Sequence, residues 1–472
     1  MQLLEGLEGP LKVHPDLPVF RLRRGGTLVY YAPGIVMPVH PDADSAVLAA
    51  VSRGAIDDPG LANRAATVLL SEACEVKNRW KQFANRRFSP AVLTLHLSND
   101  CSLDCTYCYS RANRGHGPML SLDAATKAAR LVMTECARKG NEATVVLHGG
   151  GEPTIHWDLL LRVIDTINVE SQREQVSWHC QMSTNACFEE ARVPWLARNI
   201  QVISISCDGP PDLQNGQRPF RGGRHSSWIV ERNAEALADA GARIEVRCTI
   251  TPNSIDRQAD IVAYAHTHLH ASTIRFEPLF QTTEWDEASI TENAFRFVRG
   301  FLAAQAEAGR RACPLSCGSV RPDELHGPFC DVLRDVLLIG SDGVAYACTF
   351  RVGDESAVVG WPSQGRGYTL DWDRIAALRR GAAEIPEACQ QCLNAYHCAR
   401  MCPSFCYARG SRQSGSDGPF RCLVQRLLTA EWILNAASAL GRDDPLAEPE
   451  EANGAVCGDH SSKRRHPSGP FV

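Results

Sequence analysis

From residue 91 to about 285 apolar runs of strand length alternate with helical periodicity, and this alternation restricts the possible folds more than any other feature of the chain. The strand-like runs fall at 91–97, 144–147, 176–182, 202–207, 244–251 and 274–279, with helical patterns at 121–138, 157–168, 227–240 and 254–266 between most of them. A strand that returns through a helix must lie parallel to the next one, because parallel neighbours need a long crossover. The expected class is therefore α/β, a parallel sheet wound as a partial (β/α)6 barrel. Functional residues of such a fold gather at the C-terminal ends of the strands, where the loops converge.

The first run leads into Cys101-Ser-Leu-Asp-Cys105-Thr-Tyr-Cys108. Three thiols at C-x3-C-x2-C spacing can ligate three irons of a 4Fe-4S cube and leave the fourth open, as a catalytic centre requires. A zinc knuckle short of one ligand is the other chemistry this spacing allows. The second run enters Gly149-Gly150-Gly151-Glu152-Pro153-Thr154, where glycines permit close backbone approach and Glu152 can accept a charge-assisted bond from an ammonium group. The third ends in Ser183-Thr184-Asn185. The fourth ends in Ser204-Ile-Ser206-Cys207-Asp208-Gly209-Pro210, and Arg218 follows with a planar fork suited to a carboxylate.

Of twenty cysteines, three lie in 101–108 and ten between 313 and 422; Cys74, Cys136, Cys180, Cys187, Cys207, Cys248 and Cys457 are single and read as small core or tail residues. Cys330, Gly343 and Cys348 precede the set Cys389-x2-Cys392-x5-Cys398-x3-Cys402, with Cys422 beyond. Two four-cysteine zinc sites could use similar pairs. Residues 1–88 read as three strands (19–23, 27–32, 35–39) and two helices (42–51, 59–80), an α+β unit; 89–312 read as the barrel, 313–440 as a cysteine-rich domain, and 441–472 as a disordered tail too poor in apolar residues to repay ordering. With 472 residues, 44% apolar, two or three domains are expected, and a net charge of −5 offers no basic field for nucleic acid. No apolar run reaches membrane-spanning length and no signal peptide opens the chain, so a cytoplasmic location and no membrane partner are expected.

The cysteine loop, with Tyr107 in the aromatic position, resembles the cluster-binding loop of radical S-adenosylmethionine (SAM) enzymes, and Gly150-Gly151-Glu152 resembles their GGE motif. That resemblance implies a TIM-like radical SAM barrel in which Cys101, Cys105 and Cys108 hold a 4Fe-4S cluster and Gly150, Gly151 and Glu152 meet the SAM amino group. It further implies that Ser183 and Asn185 reach the SAM ribose and carboxylate, and that Ser206 and Arg218 grip a carboxylate. Arg247 and Thr249 would line the adenine pocket. The fourth strand end is similar to the S-x-D-G-P…R pattern of peptide- and sulfatase-modifying members, except that Gln214-Asn215 replaces their His-Asp pair.

The later cysteines resemble the SPASM extension, which assigns Cys389, Cys392, Cys398 and Cys422 to a distal auxiliary cluster and Cys330, Cys348 and Cys402 to a proximal one. The eighth ligand stays open among Cys313, Cys317, Cys406 and none. The implied cofactors are three 4Fe-4S clusters, one SAM-binding and two auxiliary, together with SAM. Residues 1–88 are similar to precursor-peptide recognition elements. The implied function is a maturase that crosslinks or oxidises a ribosomally made peptide, supplied with electrons by a donor such as flavodoxin or ferredoxin. A sulfatase-maturating enzyme is the neighbouring reading, although that subfamily has an Asp base after the second SPASM cysteine and Thr349 stands here. A non-catalytic iron-sulfur or zinc scaffold is the reading from another class, and the intact glycine-glutamate motif stands against it.

Overall fold

The computed structural model describes residues 7–54, 60–111, 114–279, 289–318, 320–322, 324–325, 330–365, 367–398 and 420–440. Cys402, Cys406, Cys457 and the tail from 441 lie outside them. The chain divides into two compact units, residues 1–77 together with the segment from 430, and residues 78–429.

The first unit holds an antiparallel meander of β1 (Leu7–Lys12), β2 (Phe20–Arg24), β3 (Thr27–Ala32) and β4 (Ile35–Val39), then α1 (Asp44–Arg53) and most of α2 (Leu61–Asn85). It has four strands where the sequence suggested three. Gly9-Pro10 hides β1, whose register against β2 shifts between Glu8 and Leu11; an edge strand tolerates a proline because one side of its ladder is unused. Val19, Leu28, Tyr30 and Ala32 pack on Val47, Ala50 and Val51 of α1 and on Ala66, Leu69 and Ala73 of α2. Asp44 at the start of α1 receives the Tyr30 hydroxyl (2.8 Å) and the Arg21 guanidinium (2.5 Å), which pins the helix to the sheet. Arg24 ion-pairs with Glu431, a nearly buried carboxylate on α11 (Phe420–Leu440).

In the second unit the expected alternation is realised: β5 (Val92–Leu95), α3 (Leu122–Lys139), β6 (Ala143–Leu147), α4 (Trp157–Glu174), β7 (Trp178–Thr184), α5 (Val193–Asn199), β8 (Val202–Ser206), α6 (Pro211–Gln217), α7 (Ser227–Asp239), β9 (Ile244–Ile250), α8 (Gln258–His268), β10 (Thr273–Pro278) and α9 (Ile290–Arg310). Strands β5 to β10 are parallel and neighbour one another in chain order. All residues of β5 and β6 are buried, as in sheets covered on both faces. The first crossover shows why the helices form where they do. Ser121 caps α3 by accepting from Ala124 N (3.2 Å), Arg138 and Lys139 occupy its last turn, and Gly140 ends it at φ 65°, while Ala125, Ala128, Ala129, Val132 and Met133 bury one stripe.

The sheet then grows at both edges from the cysteine-rich region. β11 (Leu315–Cys317) pairs parallel with β10, and β12 (Val336–Ile339) pairs parallel with β5 and leads into antiparallel β13 (Ala345–Tyr346), β14 (Val358–Pro362) and β15 (Tyr368–Leu370), followed by α10 (Trp372–Ala383). Arg334, just before β12, lies within charge range of Arg275 on β10, so the two ends of the parallel array approach as a curled sheet requires. Cys317 and Cys348 thus belong to the same body as the cysteine loop.

Candidate active site

The loop after β5 is fixed by main chain. Asp104 N donates to Pro219 O (2.8 Å), Thr106 N to Gln217 O (3.0 Å) and Arg221 N to Ser102 O (3.1 Å), so the segment after α6 straps the cysteines from one side. From the other side Gly151 N donates to Ser98 O (2.8 Å) and Glu152 N to Asp100 O (2.7 Å). A Cβ on Gly151 would stand 1.9 Å from Asp100 O, and one on Gly150, which has φ +69°, would stand 2.7 Å from Ser98 O. The close approach these glycines permit is therefore to the lead-in of the cysteine loop, a packing demand visible before any ligand is considered.

Cys101, Cys105 and Cys108 are free thiols. Burial raises the pKa of Cys101, with Glu152 adding to the effect, and that of Cys105, which is pushed up to about 11. Cys101 and Cys105 also feel each other and Cys108 electrostatically, yet among the described residues no three His, Cys, Asp or Glu side chains stand together closely enough to hold a metal. The donor set nonetheless suits an iron-sulfur cluster. Three unpaired thiols share one strapped loop, Asn185 Nδ2 lies 3.7 Å from Cys101 Sγ, and the Arg114 guanidinium bonds Cys108, so polar hydrogens already face the sulfurs.

Glu152 is 4% exposed and lies between the ends of β6 and β7. Its Oε1 accepts from Thr154 N (3.1 Å), Thr154 Oγ1 (2.7 Å) and Thr184 Oγ1 (2.8 Å), and its Oε2 from Asn185 N (2.7 Å). Desolvation still raises its pKa, since burial outweighs the four bonds that favour the anion. Three acceptor positions are spent on Oε1, whereas Oε2 has one protein donor and can take another. Asn185 continues the array, donating Nδ2 to Ser102 Oγ at 3.1 Å. Ser183 and Ser206, the other polar strand-end residues anticipated from sequence, are half-buried at the ends of β7 and β8.

Sequence reasoning missed the centre of the neighbouring cluster. Asp208, wholly buried, takes the Tyr107 hydroxyl and Gln217 Nε2 (3.1 Å) on Oδ2 and Thr249 N (3.0 Å) on Oδ1. Arg218 Nε lies 3.0 Å from the same Oδ2, and its guanidinium sits over the Tyr107 ring at 5.3 Å. Arg218, expected to grip a ligand carboxylate, already has a protein carboxylate for a partner. The acidic residue of the D-G-P motif was the signal available. Gln214 and Asn215, noted as a departure, are framework residues: Gln214 Oε1 receives Asp208 N (3.0 Å), and Asn215 Oδ1 receives Ser226 N and Ser227 N at the start of α7.

The auxiliary cysteines are less completely in view. Cys317, Cys330 and Cys348 are buried, while Cys389, Cys392, Cys398 and Cys422 are partly exposed. Tyr109, next to Cys108, packs edge-on against Phe350, two residues past Cys348, at 4.8 Å. Tyr109 keeps 38% exposure, yet desolvation by the atoms packed around it pushes its hydroxyl up to about 12, and both Cys108 and Cys348 contribute to that shift. Asp331, next to Cys330, receives Thr349 N at 3.0 Å and is raised by burial to about 7.

Residues 95–265 match the model of the Radical SAM superfamily. The chain is 23% identical over 171 residues to the cysteine-type anaerobic sulfatase-maturating enzyme of Clostridium perfringens, covering 35% of this chain and 45% of that protein. It is 26% identical over 178 residues to the sporulation killing factor maturation protein SkfB of Bacillus subtilis, covering 37% and 39%. The chain thus spans less than half the length of these two curated relatives, and 57% of an uncharacterised relative from Methanocaldococcus jannaschii. The structure of native anSMEcpe with bound AdoMet superposes with a TM-score of 0.59 at 16% identity, over 74% of this chain and 100% of that one, a likeness of fold. With the cysteine loop, the glycine run and Glu152 brought together at one end of a parallel β/α sheet, residues 95–265 form a radical SAM domain.

Proposed function

We propose that this chain is a peptide maturase that uses SAM to abstract hydrogen from a ribosomally made peptide, leading to oxidation or crosslinking. The observation that carries the reading is the convergence of Cys101–Cys108, Glu152, Asn185 and the Asp208–Arg218 pair on one strapped loop, in a body that also contains the cysteine-rich extension. When bound, a reduced 4Fe-4S cluster with SAM supplies a 5′-deoxyadenosyl radical. The chain's own residues orient and shield. Oε2 of Glu152 offers its remaining acceptor capacity to the SAM ammonium, and Gly150 and Gly151 keep the adjoining backbone free of side chains. The Nη groups of Arg218 make no bond among the described residues and are left for a carboxylate, while Tyr107 and Asp208 hold the guanidinium in place. Cys330, Cys348, Cys389, Cys392, Cys398, Cys422 and Cys402, with Cys317 as eighth ligand, would hold two auxiliary clusters, and a flavodoxin or ferredoxin would supply electrons.

A formylglycine-generating activity is the second reading. Asp331 favours it, since its carboxylate lies against Thr349 N and so occupies the neighbourhood in which sulfatase-maturating members carry their aspartate. The test is anaerobic incubation of the reconstituted enzyme with SAM, reductant and either a candidate precursor peptide or a cysteine-type sulfatase peptide. A mass loss or crosslink in the precursor, coupled to 5′-deoxyadenosine, supports the first reading; formylglycine in the sulfatase peptide alone replaces it with the second.

A further inference from the structure

The last residues of α2 and the loop after them face α10 across a cavity of about 370 Å³, lined by Arg86, Arg87, Arg379 and Arg380 with the rings of Phe88 and Trp372. That volume is in the range of small-molecule sites. None of the lining residues belongs to the cysteine loop or to the strand ends described above, so the cavity is not part of the SAM site.

Arg379 is 2% exposed, an extreme rarity for a charged side chain without full pairing. Its Nη1 is used by the carbonyl of Val332 and by Asp335 Oδ1 at 2.8 Å, while Nε and Nη2 are buried with no hydrogen-bond partner among the described residues. Those two nitrogens share one edge of the planar guanidinium. Their N–H bonds run parallel, the fork that accepts two oxygens of a phosphate or carboxylate. Arg86 pairs with Asp335 at 2.9 Å, Arg87 lies over Trp372 at 5.0 Å, and Arg380 has no ion pair among the described residues. Asp335 is the one carboxylate ion-paired to these four guanidiniums among the described residues, and Glu135, within charge range of Arg87, is itself paired with Arg138, so the cluster keeps a surplus of positive charge. That surplus suits a dianion better than a single carboxylate. Trp372, 44% exposed, offers a ring face at the rim.

We propose that this cavity binds a phosphate monoester carrying a flat ring, with the phosphate held by Arg87 and Arg380 over Arg379, whose Nε–Nη2 edge must turn out of its buried position to reach it, and the ring against Trp372. Free phosphate would meet the same guanidiniums without the ring contact. The site does not depend on the peptide-maturase reading.

The test uses the reconstituted full chain at low ionic strength, saturated with SAM so that the cofactor site is filled, and titrates it calorimetrically with AMP, inorganic phosphate and adenosine. AMP should bind one per chain, phosphate more weakly, and adenosine not measurably. Arg379 also braces the backbone at Val332, so the exposed Arg87 and Arg380 carry the test independently of folding. Arg87→Ala with Arg380→Ala should weaken AMP at least about tenfold, the loss expected for charge-assisted bonds, with SAM cleavage unchanged. Trp372→Ala should weaken AMP toward the affinity of phosphate. No saturable binding of AMP or phosphate, adenosine binding as tightly as AMP, or AMP binding undiminished in the double variant would each overturn the proposal.

Discussion

Replacing Asp208 by Asn preserves shape and removes one charge from a group that has no exposure to water. Thr249 N can still be accepted at the position of Oδ1, but an amide nitrogen at Oδ2 would confront Gln217 Nε2 and Arg218 Nε, both donors, within 3.1 Å. Arg218, itself largely buried beneath the Tyr107 ring, would keep its charge without a counterion. Breaking a buried pair from one side costs about 3–5 kcal/mol, which at ~2 °C per kcal/mol for a large body lowers the melting midpoint by about 6–10 °C. Arg218→Met alone should be damaging for the mirror reason. The double variant leaves neither charge unpaired and should regain at least about 1.5 kcal/mol relative to the sum of the singles. Anaerobic scanning calorimetry of the four proteins at matched iron content measures this. If Asp208→Asn shifts the midpoint by less than about 2 °C, or the double variant is strictly additive, Asp208 is not what neutralises Arg218 and the description of this cluster is wrong.

Gly151→Ala should cut iron incorporation more than Gly309→Ala, because its Cβ meets backbone at 1.9 Å on Asp100 whereas nothing lies within 4 Å of Gly309; iron per chain after anaerobic reconstitution reads the difference, and equal iron contents would refute it. His96 is buried with neither ring nitrogen bonded among the described residues, and its pKa is lowered to about 4 by desolvation. Between the unfolded value of about 6.5 and about 4 the unfolded chain therefore binds a proton that the folded chain refuses, so stability falls with falling pH by up to about 3 kcal/mol; His96→Phe should flatten the drop between pH 7 and pH 4.5 in urea melts, and a drop of unchanged size would show that other groups cause it. Cys392→Ala should retain SAM cleavage while losing modified peptide, read as 5′-deoxyadenosine against product mass; full product yield would remove the auxiliary role from Cys392.

The parallel strands were legible because strands buried on both faces carry continuous apolar runs, and the helices between them keep a 3.6-residue stripe. β11 and β13, of three and two residues, have no periodicity to detect, and β1 hides behind Gly9-Pro10. At the site, motif spacing pointed to the cysteines, Glu152 and Arg218. It could not show that Glu152 is already bonded by four donors, because those come from Thr154, Thr184 and Asn185 on two different strand ends. Asp208 was likewise readable as a motif letter but not as a counterion, since its partners at 107, 217, 218 and 249 meet only once the strands are laid side by side.

The boundary between the units bears on how the amino-terminal region can be studied. Residues 1–88 read as one segment in the sequence, but the compact unit ends at Lys77 and takes in chain from Ala430 onward. Beyond that limit Trp80 donates Nε1 to Ala383 O at 3.0 Å and meets Tyr396 edge-on at 5.7 Å, between Cys392 and Cys398 in sequence. A deletion through residue 85 would strip both contacts from the cysteine-rich region. Before that limit, Arg24 compensates Glu431, and removing the strands would leave a nearly buried carboxylate on α11 without its cation. Loss of peptide turnover in such a truncation would therefore reflect damage at two places as readily as loss of a recognition element. Point substitutions at Val36 and Pro38 of β4, which retain some exposure and do not join Ile35, Met37 and Val39 against the core, separate recognition from folding, because they leave that packing, Trp80, Arg24 and Glu431 in place.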